Sequence, residues 1–455
     1  MRNLVFPLSV VGGVLGGAML PEGFVDPFLF FVVAVAAGVA LSWCWRNSRL
    51  RMTLLLFALF VMGVWRGSAV MQGSPLFNTR VTLALKGVVA TAPYIRGKTQ
   101  VFDVRLDTPT PSVASTPGVV TGQYPRYRYG DWLSIDCKSI KEGSCFFPTI
   151  YLLGEGKGNA ALAFLFAVKD HLVRGINRVL PEPHASFASA LLLGERAALP
   201  TEIRDVFQVT GTTHIVAVSG THVVILGEFL KVILGLVHIP IRFRRGAIAA
   251  ILLFFTAMIG APASAVRGLL FGLVLLLAES IGRPRQMSVA LSATCAALLL
   301  WHPSFLFDLG FQLSFLAVIG IVYGVPVVSH VLDPLLPAKP FMRSCVALAL
   351  LSFTATVMTT PLLVATFGRL SLVSIVANMV VVPFVEPATI TTLLVALIAA
   401  AHPLLAFPFG ILLFGILGAM MSVITFFAKI PGAALSLAPL SSPVLFVLYT
   451  ILFAA

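Results

Sequence analysis

The stretch Gly268-Leu-Leu-Phe-Gly-Leu-Val-Leu-Leu-Leu-Ala278 decides the class of this fold. It carries no charge, is flanked by Arg267 and Glu279, and sits in an apolar segment between Pro262 and Gly282. About 20 mostly apolar residues in helical conformation cross the hydrocarbon of a bilayer. Three such segments come first, Leu4 to Leu20, Pro27 to Trp45 and Met52 to Met71. From Thr212 onward the apolar runs are nearly continuous. Breaks near Pro240, Pro262, Gly282, His302, Pro326, Arg343, Arg369, Pro387, His402 and Pro431 predict about nine or ten further segments there.

Composition agrees. The 455 residues are 58% hydrophobic and 11% charged, with a mean hydropathy of +0.99. Soluble domains carry about 25% charged residues, so lipid must replace water as solvent for much of this chain. The net charge of +13 fits the Lys/Arg bias of cytoplasmic loops, or else an anionic substrate. The N-terminus opens Met-Arg and runs apolar to Leu20 without a clear small-x-small site, which reads as a retained anchor.

Between the apolar blocks, Asn78 to Glu155 is polar and alternating. Phe102, Val104 and Leu106 face one way, and Asp103, Arg105 and Asp107 the other. Leu133, Ile135 and Cys137 alternate likewise against Ser134 and Asp136. This is the signature of half-buried strands and predicts a small all-β domain of about five strands. Ala160 to Leu180, with Lys169, Asp170, Arg174 and Arg178 among apolar residues, reads as an interfacial amphipathic helix, and Ala185 to Leu193 as another. The chain thus divides into an N-terminal anchor (1–77), a β domain (78–155), interfacial helices (156–211) and a polytopic all-α domain (212–455).

Basic loops set the orientation. Arg46, Arg49 and Arg51, then Arg242, Arg244 and Arg245, then Arg283 and Arg285, then Lys339 and Arg343 fall in alternate loops. Alternation places them all on the cytoplasmic side, and three spans then put the β domain outside. Of the five cysteines, Cys44, Cys295 and Cys345 lie in apolar runs, where Cys behaves as a small hydrophobe. Cys137 and Cys145 lie in the exported domain, eight residues apart, and are expected to form a disulfide there. No CxxC pair or zinc-spaced His/Cys cluster is present, so no metal or cofactor is expected.

Four stretches interrupt the apolar helices with polar residues and glycines. The first runs Ala190-Leu-Leu-Leu-Gly-Glu-Arg196, then Leu199-Pro200, Phe207, Gly211-Thr-Thr-His214 and Ala217-Val-Ser-Gly-Thr-His-Val223. The second is Gly260-Ala-Pro-Ala-Ser-Ala-Val-Arg-Gly268, and the third Asp308-Leu-Gly-Phe-Gln-Leu-Ser-Phe-Leu-Ala-Val-Ile-Gly-Ile321. The fourth comprises Pro361, Phe367-Gly368, Ser371, Ala377-Asn378 and Pro383. In order, spacing and identity these resemble the ComEC competence family, closely over Ala160 to Phe384. Asn78 to Glu155 resembles, more loosely, that family's exported oligonucleotide-binding-fold domain.

The resemblance implies an inner-membrane channel passing single-stranded DNA into the bacterial cytoplasm during natural transformation. It also implies partners: a periplasmic DNA receptor, a cytoplasmic motor and a separate nuclease. Thr221 departs from the family's usual Leu. Longer members continue into a metallo-β-lactamase-like nuclease domain, but no HxHxDH cluster occurs in these 455 residues, so nuclease activity is not carried over and no enzyme is expected.

Polar side chains in hydrocarbon are costly, about 2.5 kcal/mol or more for a charge, so they face a cavity or a partner. Ser219 and His222, three apart, share a helical face. With His214 they either line a polar pore or pack helices together. Arg267, one turn from Ser264, either meets a phosphate as a bidentate donor or pairs with Asp308, Glu279 or a lipid headgroup. Asp308, Gln312 and Asn378 read as network residues fixing helix ends, and Glu228 with Lys231 as a structural ion pair. In the β domain, Tyr124-Pro-Arg126-Tyr127-Arg128-Tyr129 interleaves aromatics and cations, either to bind a single strand by stacking and charge or as a strand edge. Two other readings stand beside the channel. One is a small-molecule or lipid-linked transporter. The other is an intramembrane hydrolase with Ser219 as nucleophile, His222 as base and Asp308 as orienter.

Overall fold

The computed structural model describes residues 83–437 except 92, 97–98, 108–117, 123, 138–139, 142–143, 283–285, 302 and 333–339, and also residues 444, 448–449 and 452. The expected N-terminal anchor and its three spans lie outside the described residues, as do Arg46, Arg49, Arg51, Arg283, Arg285 and Lys339. The described residues fall into two compact units, one within Pro75–Leu269 and Val328–Ala455 and the other within Leu270–Val327.

The first unit opens with the β domain. Its long strands are β1 (Leu83–Val89), β3 (Thr99–Leu106), β4 (Gly118–Gly122), β5 (Trp132–Cys137) and β8 (Thr149–Gly154). Three short strands join them, β2 (Tyr94–Arg96), β6 (Ile140–Lys141) and β7 (Ser144–Phe146). The sheet order is β6-β7-β4-β3-β1-β5-β8, with β2 paired to β3. Every pairing is antiparallel except β4 with β7. The predicted alternation is the observed one. Phe102, Val104, Leu133, Ile135 and Cys137 are all buried in the core. Gly87 lets β1 close onto β3, because a Cβ there would strike the Val104 side chain at 2.7 Å. Cys137, at the end of β5, is bonded to Cys145 of β7, with Cα atoms 6.0 Å apart.

Helix α1 (Ala160–Val179) starts at Asn159, whose Oδ1 accepts from the Ala161 amide at 2.8 Å. Its Gly175 packs on α11 (Ser374–Ala401), where a Cβ would lie 3.3 Å from the Ala400 nitrogen. Helix α2 (His184–Leu193) corrects an expectation. It is not interfacial, since every residue from Ala185 to Leu193 is buried. Small and apolar side chains on all faces give it no surface to present to water or headgroups.

A short 3₁₀ turn (Arg196–Ala198) and α3 (Thr201–Val209) follow, then α4 (Gly220–Leu236), α5 (Ile241–Met258) and the start of α6 (Ala263–Ser280). The unit is completed by α10 (Pro340–Phe367), α11 and α12 (Pro403–Ala428), with a two-stranded ribbon of β9 (Arg369–Ser371) and β10 (Ala434–Ser436). The second unit holds the remainder of α6, α7 (Met287–Trp301), a 3₁₀ turn (Pro303–Phe307), α8 (Leu309–Ile319) and a π turn (Gly320–Gly324) leading into α9 (Val325–Leu332).

Among the described residues five helical stretches are long and apolar enough to cross a membrane: Ala263–Ser280, Leu309–Leu332, Val346–Phe367, Ser374–Ala401 and Pro403–Ala428. The protein is a polytopic, mostly helical membrane protein with a small β domain. Two predicted breaks do not occur. Pro326 and Pro387 lie inside continuous helical runs. A π turn immediately before Pro326 absorbs the lost hydrogen bond. In α11 the helix continues through Pro387, whose missing N–H leaves the Pro383 carbonyl without its usual donor, and packing among neighbouring helices accommodates this.

Candidate functional site

Three of the four interrupted motifs meet in the first unit. Helix α2 ends at Gly194, whose φ of 76° is the left-handed conformation that suits glycine at a helix end. Glu195 and Arg196 follow at once, and Glu195 Oε1 pairs with Lys169 Nζ of α1 at 2.5 Å. After α3 the chain runs without helix from Thr210 to Ser219. Thr210 and Thr212 are fully buried there, with hydroxyls 2.8 Å apart, and Thr210 Oγ1 donates to Val206 O at 2.9 Å. Gly211, at φ 68°, seats this segment against the start of α11. A Cβ on it would come 2.7 Å from Ser374 Cβ.

Ser219 begins α4. Its amide donates to His222 Nδ1 at 3.1 Å, which makes Nδ1 an acceptor and puts the ring proton on Nε2. Ser219 Oγ lies 3.0 Å from the same nitrogen and donates to it. His222 is only 2% exposed, and its Nε2 has no hydrogen-bond partner among the described residues. It borders a cavity of about 10 Å³ shared with Leu192, Phe229, Phe255 and Thr389, which is room for one water at most. His214 and Arg196 stand within electrostatic reach of His222, and the His214 ring bonds the Gly211 backbone.

The second motif packs against this segment. Ser264 Oγ donates to Val218 O at 2.6 Å. Gly220 and Gly268 touch backbone to backbone, since a Cβ on Gly220 would lie 3.1 Å from the Gly268 Cα. Arg267 is 5% exposed, and its Nε donates to Ala263 O at 3.1 Å, one turn back. From the fourth motif, Asn378 is buried on α11, and neither its Oδ1 nor Ser371 Oγ has a partner among the described residues.

Asp308 and Gln312 belong to the second unit. Asp308 Oδ1 accepts from the Phe311 amide at 2.6 Å and caps α8, and Gln312 Nε2 donates to Leu306 O at 2.8 Å. Glu228 and Lys231 pair on the exposed face of α4 at 2.6 Å. Among the described residues no three His, Cys, Asp or Glu side chains come together as metal ligands.

In the β domain the aromatic and basic stretch divides. Tyr124 and Arg126 are exposed, with the guanidinium 5.4 Å from the ring centroid. Arg128 is exposed too, and its amide donates to Asp131 Oδ2 at 2.7 Å. Tyr127 differs from expectation. It is 7% exposed and its ring packs on Phe102, with centroids 5.5 Å apart, so no stacking face is open. Tyr129 reaches α1 instead, 5.1 Å from the Phe166 ring.

Sequence reasoning missed Lys169 and Glu195 as a pair and Arg196 as their neighbour. The signal was a Gly-Glu-Arg turn directly after an apolar helix, with a single lysine on the preceding apolar face of α1.

The family model for Competence protein matches residues 191–455, more than half the chain. ComE operon protein 3 of Bacillus subtilis is 28% identical over 226 residues, which are 48% of this chain and 27% of that protein. The Escherichia coli protein described as Uncharacterized protein YcaI is 25% identical over 225 residues, 48% of this chain and 29% of its own length. The matched part of this chain therefore spans less than a third of these curated relatives. No solved structure matches.

Proposed function

The chain belongs to the competence protein family, and on that premise we propose that it takes up DNA, passing single strands across the cytoplasmic membrane with its β domain on the exported side. One observation carries the reading. Three of the four interrupted motifs converge on a non-helical, hydroxyl-rich segment, Thr210–Ser219, held between α4, α6 and the start of α11. Irregular backbone within a membrane domain is tolerated where protein buries it or where it lines a wet cavity.

A strand brings one negative charge per nucleotide into a low-dielectric slab. Hydroxyls, an imidazole and a few cations lower that barrier without trapping the strand. In this reading His214, Ser219, Ser264 and Arg267 face the path, and His222 holds the start of α4 in shape. Asp308 and Gln312 set the start of α8, and Asn378 offers a buried amide from α11. The β domain acts as an oligonucleotide-binding module, with Tyr124, Arg126 and Arg128 as its strand contacts. The 455 residues hold no phosphate-binding loop of the P-loop type, so in this reading a partner supplies the driving force or the protein only conducts.

The hydrolase alternative gains no support. Nε2 of His222, the atom a carboxylate would have to orient, ends in an apolar cavity. Deletion of the chain tests the proposal: loss of transformation supports it, and altered uptake of a small solute with transformation intact supports the transporter instead.

A further inference from the structure

A cavity of about 500 Å³ lies where the β domain meets the helices of the first unit. Ala90 and Thr91 from the end of β1, Phe166 and Lys169 of α1, the Gly194–Arg196 turn, and Gly260 and Ala261 after α5 line it. Its size falls in the range of roughly 300–1,000 Å³ that holds nucleotide-sized ligands. Lys169 is 8% exposed at its wall. A buried ammonium is costly unless paired, and Glu195 Oε1 at 2.5 Å pairs it.

The two partners are held differently. Lys169 is fixed on the body of α1, whereas Glu195 sits on the turn just after Gly194, and its side chain is the more exposed of the two, 23% against 10%. Arg196 lines the same cavity. Asp170, beside Lys169, lies within electrostatic reach of Glu195, Arg174 and Arg128. Arg128 belongs to the exposed basic stretch of the β domain, and Tyr129 of that stretch contacts Phe166, a wall of the cavity. The basic surface of the β domain thus adjoins the cavity.

We propose that this cavity is a phosphodiester site whose resident anion is Glu195. A backbone phosphate of an entering strand displaces the carboxylate from Lys169 and takes its place, with Arg196 as second cation, while the carboxylate turns out to water. When the strand advances, Glu195 returns and expels the phosphate. A site with two bare cations would retain the strand, and a resident carboxylate keeps binding weak enough to release it. This rests on the DNA-uptake reading and assigns it a specific site.

Binding of a labelled single-stranded oligonucleotide to the purified full chain in detergent tests it. Glu195→Gln removes the competitor and should tighten binding on the order of tenfold. A Lys169→Gln, Glu195→Gln double variant loses both charges, so no unpaired ion remains to unfold the protein. It should return affinity to wild type or below and reduce the salt slope of binding by about 0.7, one phosphate contact on a single strand.

Unchanged or weaker binding by Glu195→Gln overturns the proposal, as does an unchanged salt slope in the double variant. Vesicles of phosphatidylglycerol form a parallel arm. If Glu195→Gln tightens only vesicle binding, the site is a headgroup site and the proposal fails. Wild-type protein that binds no oligonucleotide contradicts the DNA-uptake reading itself, whereas normal wild-type binding with an inert Glu195→Gln contradicts only the resident anion.

Discussion

Gly220 of α4 and Gly268 of α6 meet backbone to backbone, so close that a Cβ on Gly268 would come 2.3 Å from the Gly220 Cα. The contact brings Ser264 Oγ within 2.6 Å of Val218 O and so joins two motifs that are 46 residues apart in the chain. Small residues allow this approach where membrane helices have no hydrophobic drive to pack.

Gly268→Ala should therefore overpack the crossing and destabilise the protein by about 1–3 kcal/mol. Gly272→Ala, one turn on, has nothing among the described residues within 4 Å of the added Cβ and should be neutral or slightly stabilising, since alanine favours helix. Thermal unfolding in detergent checks both. Equal effects at the two positions would show that the crossing is not tight.

Ser219→Ala removes a hydroxyl that donates to His222 Nδ1 but leaves the amide-to-imidazole bond intact. DNA uptake should fall only in part, since one hydroxyl among several path groups is lost. His222→Leu removes the acceptor for the Ser219 amide at the start of α4 and should cost about 0.5–2 kcal/mol, as the loss of a cap does. Complete loss of function in Ser219→Ala at normal abundance would revive the hydrolase reading.

The Cys137–Cys145 bond ties β5 to β7 and belongs in an oxidising compartment. A thiol reagent should label neither cysteine before reduction and both after unfolding in reductant, and loss of the bond should cost about 2–4 kcal/mol. A periplasmic reporter inserted at residues 109–117 should be active, and one near Arg244 silent. Labelling of both cysteines without reductant, or the reverse reporter pattern, would put the β domain on the other side.

Burial lifts the carboxyls of Asp103 and Asp131 above the usual carboxylate range, against the lowering effect of their hydrogen bonds from Thr91 and Arg128. Between the unfolded value near 3.8 and the raised native value, the native state keeps protons that the unfolded state releases. The contribution of these groups to stability therefore falls as pH rises through that window and recovers on acidification. Thermal unfolding of the β domain across the window should show that sign, and Asp131→Asn should flatten it. An unchanged slope in the variant would assign the effect elsewhere.

The β domain was legible because period-two burial repeats locally. Phe102, Val104, Leu133 and Ile135 each report their face from immediate neighbours. The short helix α2 was not, because an apolar stretch without a polar face reads alike at an interface or in a core. Pro326 and Pro387 misled for a related reason. Proline breaks helices in water, but a π turn or the packing of neighbouring helices accommodates it in an apolar bundle. At the site, Ser219 and His222 are neighbours in sequence and their pairing could be read from spacing. Lys169 and Glu195 lie on separate elements, and only the fold brings them together.

Entry of labelled DNA into the cytoplasm is the measurement on which the channel reading turns. A deletion strain should bind DNA at its surface but accumulate no nuclease-protected label inside. The wild-type chain and Glu228→Gln should restore entry, while Arg267→Ala at equal abundance should restore only part of it. Nuclease-protected label at wild-type levels in the deletion strain would contradict the channel outright.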